Sequence, residues 1–218
     1  MRQRHLTEVL GAIATVTCGR EGPVRALEVF ERVARSAAET HEAQSFGWPV
    51  LLAAAFHFLR GDVAGSRRWI DVFAERARVD QGVLRLGSSE PSWIAAALAS
   101  HFSLPDLLEG LSSHPPRDAR ELALHEADLA IGQGIAARDA AATSAALERL
   151  YASWEDGGIG ALPHPLILCA HVLAAAGPRP DETWHAPLAR AREFSERAGA
   201  AWALAEIERI ETEIAGRR

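Results

Sequence analysis

The sequence of this 218-residue chain contains no lysine and no asparagine, its one methionine is Met1, and all 23 of its basic residues are arginine. It has no glycine-rich loop ending in lysine, no GxGxxG after a strand pattern and no GxSxG. These absences exclude the nucleotide-binding and hydrolase classes that such motifs define. Apolar residues make up 48% and charged residues 24% of the chain, which is typical of a globular protein and excludes a disordered one.

Excess positive charge is also lacking. The net charge is −6 and the isoelectric point is near 5.9, whereas nucleic-acid binding needs a basic face or stripe. The densest basic cluster runs from Arg67 to Arg78, is interrupted by Asp71 and Glu75, and is interpreted as a solvated helix face. We therefore expect no nucleic-acid partner and a bias toward basic partners.

Long apolar runs and paired cysteines are missing too. No stretch approaches the about 20 apolar residues that a membrane span requires, so no membrane association is expected. Cys18 and Cys169 lie far apart without ligand spacing, which indicates free thiols in a reducing compartment. Arg2 and Arg4 before an apolar run and Cys18 resemble a lipoprotein signal, but the acidic Glu8 favours a first amphipathic helix. A cytoplasmic location is expected.

What the sequence has in abundance is alanine, about a fifth of all positions, together with leucine, glutamate and arginine. This composition favours helix, and apolar residues recur at helical spacing from end to end. Alternation at period two is absent, so we predict an all-α protein with no β-sheet. Gly, Pro and Asp residues at positions that typically begin or end a helix divide the chain into segments. They predict helices near 4–18, 23–38, 47–60, 63–79, 91–102, 105–111, 117–138, 140–154, 165–176, 182–198 and 200–215.

The turns inside the predicted helical hairpins recur at an irregular period near 40 residues. They fall near Gly19, Gly61, Ser103, Asp139 and Gly177, at intervals of about 42, 42, 36 and 38 residues. This spacing predicts five stacked antiparallel helical hairpins plus a C-terminal helix, in one domain over 1–218 with a possible internal boundary at the loop 80–90. A compact helical bundle of the same elements is the alternative.

Two stretches look like known families. Leu59 to Ala64, with Phe73 and Ala77 after it, resembles the turn and second helix of a tetratricopeptide repeat, as does Gly22 to Phe30. That resemblance implies a hairpin scaffold that binds other proteins as an adaptor or regulator, and it implies no catalytic residue.

A second resemblance concerns the layout of the whole chain. Phe46 to Trp48 leading into Ala53 to Phe58, the long helix from Arg120 to Arg138, and Leu162 to Leu166 are similar to the helical immunity protein 49 family of bacterial toxin systems. This resemblance implies neutralisation of a cognate toxin by direct binding.

Histidines and tryptophans are the candidate binding residues. His57, His101, His125 and His171 each lie on the first helix of a predicted hairpin, where they would face a partner or, alternatively, be buried and hydrogen-bonded. Glu126 and Asp128 lie beside His125 and extend its polar surface. Trp48 and Trp154 stand at helix–loop junctions and are candidate interface anchors.

Catalysis and cofactor binding are the less favoured alternatives. No His, Cys, Asp or Glu residues stand at the spacing that is typical of a metal site, and no metal or cofactor is expected. Arg120 and His125 match the loose spacing of an Arg and a His in helical ribonucleases of the HEPN class, where the pair acts on a phosphate. The sequence therefore predicts a protein-binding helical protein, most concretely an immunity protein, and leaves its oligomeric state open.

Overall fold

The all-α prediction is confirmed by a computed structural model, which describes residues 11, 23–39, 43–84, 91–115, 119–137, 139–156, 185–199 and 201–216. Over these residues 89% of the chain is helical and no strand forms. The helices are α1 Pro23–Ala38, α2 Ala43–Leu59, α3 Val63–Val79, α4 Pro91–His101, α5 Pro105–Ser112, α6 Ala119–Ala137, α7 Ala140–Asp156, α8 His185–Ala198 and α9 Ala201–Ala215, with a 3₁₀ turn at Gln81–Leu84. The helix predicted at 165–176 lies outside the described residues, as does the helix predicted at 4–18 except for residue 11, which is helical.

The turn between α2 and α3 forms as its sequence predicts. Gly61 has a φ of +77°, its N–H donates to the carbonyl of Phe58, and the N–H of Asp62 donates to the carbonyl of His57. This pair of bonds is a Schellman motif, which uses the left-handed conformation that glycine adopts without steric cost. Asp62 then caps α3, because its Oδ1 accepts a 2.8 Å hydrogen bond from the N–H of Gly65.

Two further junctions between helices use one of the same two features, a residue with positive φ or an aspartate that caps the next helix. Ser103 takes a φ of +55° after α4, and the N–H of Leu104 donates back to the carbonyl of Ala99 before Pro105 opens α5. Asp139 caps α7 by accepting a 2.9 Å hydrogen bond from the N–H of Ala142. Local side-chain chemistry thus sets where these helices begin and end.

The start of α2 differs from the expected one. The sequence places it at residue 47, next to Pro49, whereas the helix begins at Ala43 and Pro49 lies inside it. A proline removes one backbone donor from a helix. Here that loss falls early in a helix that is buried from Phe46 to Leu59 apart from the half-buried Trp48, so tertiary packing outweighs it.

The described helices form a central row with helices on its flank. In the central row α2 packs on α4, and α4 packs on α6. Each central helix also packs on the helix that follows it, and α2 packs on α1 as well. Their buried residues join in one apolar core, and α2 and α4 are apolar on nearly all sides because they are enclosed on nearly all sides.

Small residues allow the central helices to approach closely. A Cβ placed on Gly132 of α6 would lie 2.9 Å from the Ala96 Cβ and 3.1 Å from the Ala96 carbonyl oxygen on α4. The hydroxyl of Ser100 donates across the same contact to the carbonyl of Gly132, at 2.6 Å. On the other side of α6, a Cβ on Gly134 would meet the backbone of Thr143 at 3.0 Å. Alanine and glycine therefore set the interhelical distances here.

The last two helices pack on each other and touch the rest of the protein through arginines. Arg190 of α8 lies 3.5 Å from Glu148 of α7, and Arg209 of α9 donates a 3.0 Å hydrogen bond to the carbonyl of Leu59 at the end of α2. An extended row of hairpins would keep α9 away from α2. The Arg209 contact therefore favours the compact bundle over the open array. In the part of the chain that is described, no helix is both long and apolar enough to cross a membrane.

We expect Gly132→Val to lower the free energy of unfolding by about 2–3 kcal/mol, because the added carbons meet the backbone of α4, which cannot rotate away. Urea unfolding measures this change. The matched control is Gln133→Val on the exposed face of the same helix, with an expected change below about 1 kcal/mol. Equal losses in the two variants would contradict the close contact.

Candidate functional site

His57 is the centre of a polar cluster that joins α1, α2 and α3. Its Nδ1 lies 2.8 Å from Asp62 Oδ2, and its Nε2 lies 2.9 Å from Glu31 Oε1. The His57 ring is buried, and the Glu31 side chain is 18% exposed. Both ring nitrogens of His57 are therefore engaged by carboxylates from neighbouring elements.

The carboxylate of Glu31 collects several donors. The indole N–H of Trp69 donates to Oε1 at 3.2 Å, and Arg35 donates to Oε2 at 3.0 Å. Burial opposes ionisation of Glu31, but hydrogen bonds from His57 and Trp69 and the charges of His57 and Arg35 lower its pKa below the ordinary value. The hydrogen bond from the Gly65 N–H, supported by His57, likewise lowers the pKa of Asp62. The carboxylates of Glu31 and Asp62 are therefore ionised at neutral pH.

His125 and Asp128 are buried on α6, one turn apart. The backbone of Leu111 hydrogen-bonds to the His125 ring, while Nε2 of His125 and Oδ1 of Asp128 are buried without a hydrogen-bond partner within the described ranges. Burial lowers the pKa of His125 and raises the pKa of Asp128 well above its ordinary value. Burial therefore favours the neutral form of the Asp128 carboxyl. Glu126 is exposed on the opposite side of the helix.

His101 and Trp48 make apolar contacts. The His101 ring lies edge-on to Phe58 and Phe102, with ring centroids 4.7 and 4.8 Å apart, and burial lowers its pKa. Trp48 is half-buried and packs on the core. Both contribute to the edge of the core, where one side of each ring still reaches solvent.

The remaining sequence-predicted site residues are only partly covered by the structure. Arg120 lies in α6 and Trp154 in α7, but their side chains are outside the described set. His171 lies outside the described residues altogether. The structure brings His125 and Asp128 onto one helix face, and it separates both of them from His57.

A cleft between α3 and α5 was not predicted from the sequence. Its volume is about 370 Å³, within the range of ligand-binding pockets. None of the sequence-predicted site residues is among the described residues that line it. Those that do are apolar on the floor and polar at the mouth: Ala74, Ala77, Arg78, Gln81, Leu84, Leu104, Pro105, Asp106, Leu107, Gly110 and His114.

The polar groups of the cleft have defined partners. Arg78 lies 3.0 Å from Glu75 on its own helix and 3.8 Å from Asp106 across the mouth. His114 Nδ1 donates to the carbonyl of Gly110 at 2.9 Å, and its Nε2 lies 3.2 Å from Gln81 Oε1. Both ring nitrogens of His114 therefore have a partner within hydrogen-bond distance.

The cleft has the lining of a binding pocket. The cleft offers apolar surface, one guanidinium and one carboxylate, without a nucleophile paired to a base. Within the described ranges, no three His, Cys, Asp or Glu side chains are grouped to hold a metal ion. No protein-family model matches this chain, and neither a curated protein nor a solved structure shows significant similarity to it.

Glu31→Gln is expected to lower the free energy of unfolding by about 2 kcal/mol at pH 7, because charge-assisted hydrogen bonds to His57 and Arg35 are lost. The Glu31 pKa is depressed in the folded state, so its contribution is fully present above the ordinary value of 4.5 and is lost as the pH falls below it. Urea unfolding from pH 7 to pH 3 measures both effects. The exposed Glu28→Gln should change stability by less than about 0.5 kcal/mol, and an equal effect of both variants would refute the role of Glu31.

Asp128→Asn tests the buried acid. The Asp128 pKa is raised in the folded state, so the folded protein holds a proton that the unfolded chain releases above about pH 4. Wild-type stability should therefore fall relative to the variant as the pH rises from 4 to 7. The exposed Asp71→Asn serves as the control and should show no such trend. A constant difference between wild type and Asp128→Asn would contradict a neutral Asp128.

Proposed function

We propose that this protein is a non-enzymatic helical scaffold that binds a segment of a partner protein in the cleft between α3 and α5. The observation that carries the proposal is the cleft itself, an apolar hollow of about 370 Å³ with charged groups at its mouth. Ligand-binding pockets between helices typically combine an apolar lining with a few polar groups that orient the ligand, and this cleft has both.

The cleft is suited to an apolar side chain of a partner. Ala74 and Ala77 of α3 leave the space that larger residues would fill, while Leu84 and Leu107 close it from the 3₁₀ turn and from α5. A leucine-sized group that leaves water for this floor gains about 1.5–3 kcal/mol when fully buried. A few such anchors account for most of the affinity of typical interfaces.

The most concrete form of the proposal is an immunity protein that neutralises a cognate bacterial toxin by direct binding in the cytoplasm. It is supported by the sequence resemblance to immunity protein 49 and by the net charge of −6, which favours a basic partner surface. A tetratricopeptide-like adaptor is the alternative within the same binding class. The ribonuclease alternative with Arg120 and His125 stays a prediction; burial of the His125 ring does not favour it.

Peptide selection on the full chain tests the binding proposal. Random peptides displayed on phage are selected on the wild-type protein, and the enriched peptides are measured on Ala77→Leu, which places a larger side chain in the cleft. Binding should weaken by at least about tenfold, equivalent to 1.4 kcal/mol.

The matched control is Ala64→Leu, an exposed position at the start of the same helix, which should leave binding unchanged. Circular dichroism confirms that both variants are folded. Enriched peptides that bind Ala77→Leu as well as they bind wild type would show that the cleft is not the site. Loss of an RNA-cleaving activity in His125→Ala would overturn the non-enzymatic assignment.

A further inference from the structure

We propose, resting on the function above, that the cleft selects a partner segment in which a basic side chain stands next to an apolar one, with Asp106 as the charge partner. The apolar residue enters the hollow between α3 and α5. The basic residue pairs with Asp106 at the mouth.

Asp106 is the acceptor that the arrangement leaves available. It lies in the first turn of α5, and its side chain is 79% exposed. Among the described residues its one ionic contact is to Arg78 at 3.8 Å, which is longer than a hydrogen bond. A carboxylate accepts up to four hydrogen bonds, and an incoming guanidinium donates two of them in parallel.

Arg78 has a hydrogen-bond partner other than Asp106. Its Nη1 lies 3.0 Å from Glu75 on the same helix, so it keeps a hydrogen-bonded partner when another cation displaces it from Asp106. Glu75, which is not part of the cleft lining, thus balances the charge of Arg78 and leaves the charge of Asp106 in excess at the mouth. This local excess has the same sign as the net charge of the chain, and both attract cations.

The floor explains why an apolar neighbour is required. Six of the lining residues are apolar, and a small hydrated cation would bury no apolar surface against them. They are Ala74, Ala77, Leu84, Leu104, Pro105 and Leu107. An arginine or lysine carries an apolar stem that extends this contact to the rim, where its charge stays hydrated. The combination distinguishes a basic, apolar segment from a purely basic one.

Two variants at the mouth give effects of opposite sign. Peptides whose binding is lost in Ala77→Leu are measured on Asp106→Asn and on Arg78→Gln by fluorescence anisotropy. Asp106→Asn should weaken them by about three- to tenfold, because it removes the charge partner. Arg78→Gln should strengthen them by about two- to fivefold, because it removes the competing cation. Raising the salt concentration should reduce both differences.

Asp71→Asn is the matched control, since it makes the same charge change on α3 at a residue paired with Arg67 and not with the cleft. It should leave affinity within about twofold. The enriched peptides should contain arginine or lysine beside a leucine-like residue more often than the starting library does.

The outcomes separate this inference from the proposed function. Peptides that are sensitive to Ala77→Leu but carry no basic preference, or that bind Asp106→Asn unchanged, overturn the inference and leave the binding function standing. Reversed signs at the two mouth positions show an acidic partner and also overturn it. Selection that yields no peptide sensitive to Ala77→Leu overturns both.

Discussion

The contact between Gly132 and Ala96 sets the distance between α4 and α6, and the central row depends on that distance. Backbones this close leave room for hydrogen bonds between helices, as from Ser100 to the Gly132 carbonyl. They also exclude larger side chains from the contact itself, at Gly132 and Ala96. The abundance of alanine therefore has a structural use beyond helix propensity: it permits a closely packed interior in which α2 and α4 are enclosed on nearly all sides.

In a tightly packed interior, each buried polar group affects stability according to whether it finds a hydrogen-bond partner. The cluster of His57, Glu31 and Asp62 is satisfied from every side, and it fixes three helices relative to one another. At Asp128, in contrast, burial opposes ionisation, since ionisation would place an unpaired charge in the apolar interior. Burial of a carboxyl group thus has different results at Glu31 and at Asp128. The carboxyl of Glu31 receives hydrogen bonds from neighbouring helices, whereas Asp128 Oδ1 has none among the described residues.

Local signals predicted most of the fold. Gly61 with Asp62, and Asp139, mark helix ends because their backbone and capping chemistry acts over only a few residues. The start of α2 was placed four residues late, because its first turns are held by burial in the tertiary structure, in spite of Pro49 inside the helix. The partners of His57 and the cleft were not predicted. Glu31 reaches His57 from another helix, and the cleft arises only where α3 and α5 meet, so no spacing within one segment encodes either.

The hydrogen bond from Arg209 to the Leu59 carbonyl joins residues 150 positions apart. The ribosome therefore synthesises α2 long before the guanidinium that satisfies its terminal carbonyl exists. Hairpins near the start of the chain can form early, since their contacts are local. This contact can form only after α9 has been made. The end of α2 is therefore completed later than the hairpin turn beside it.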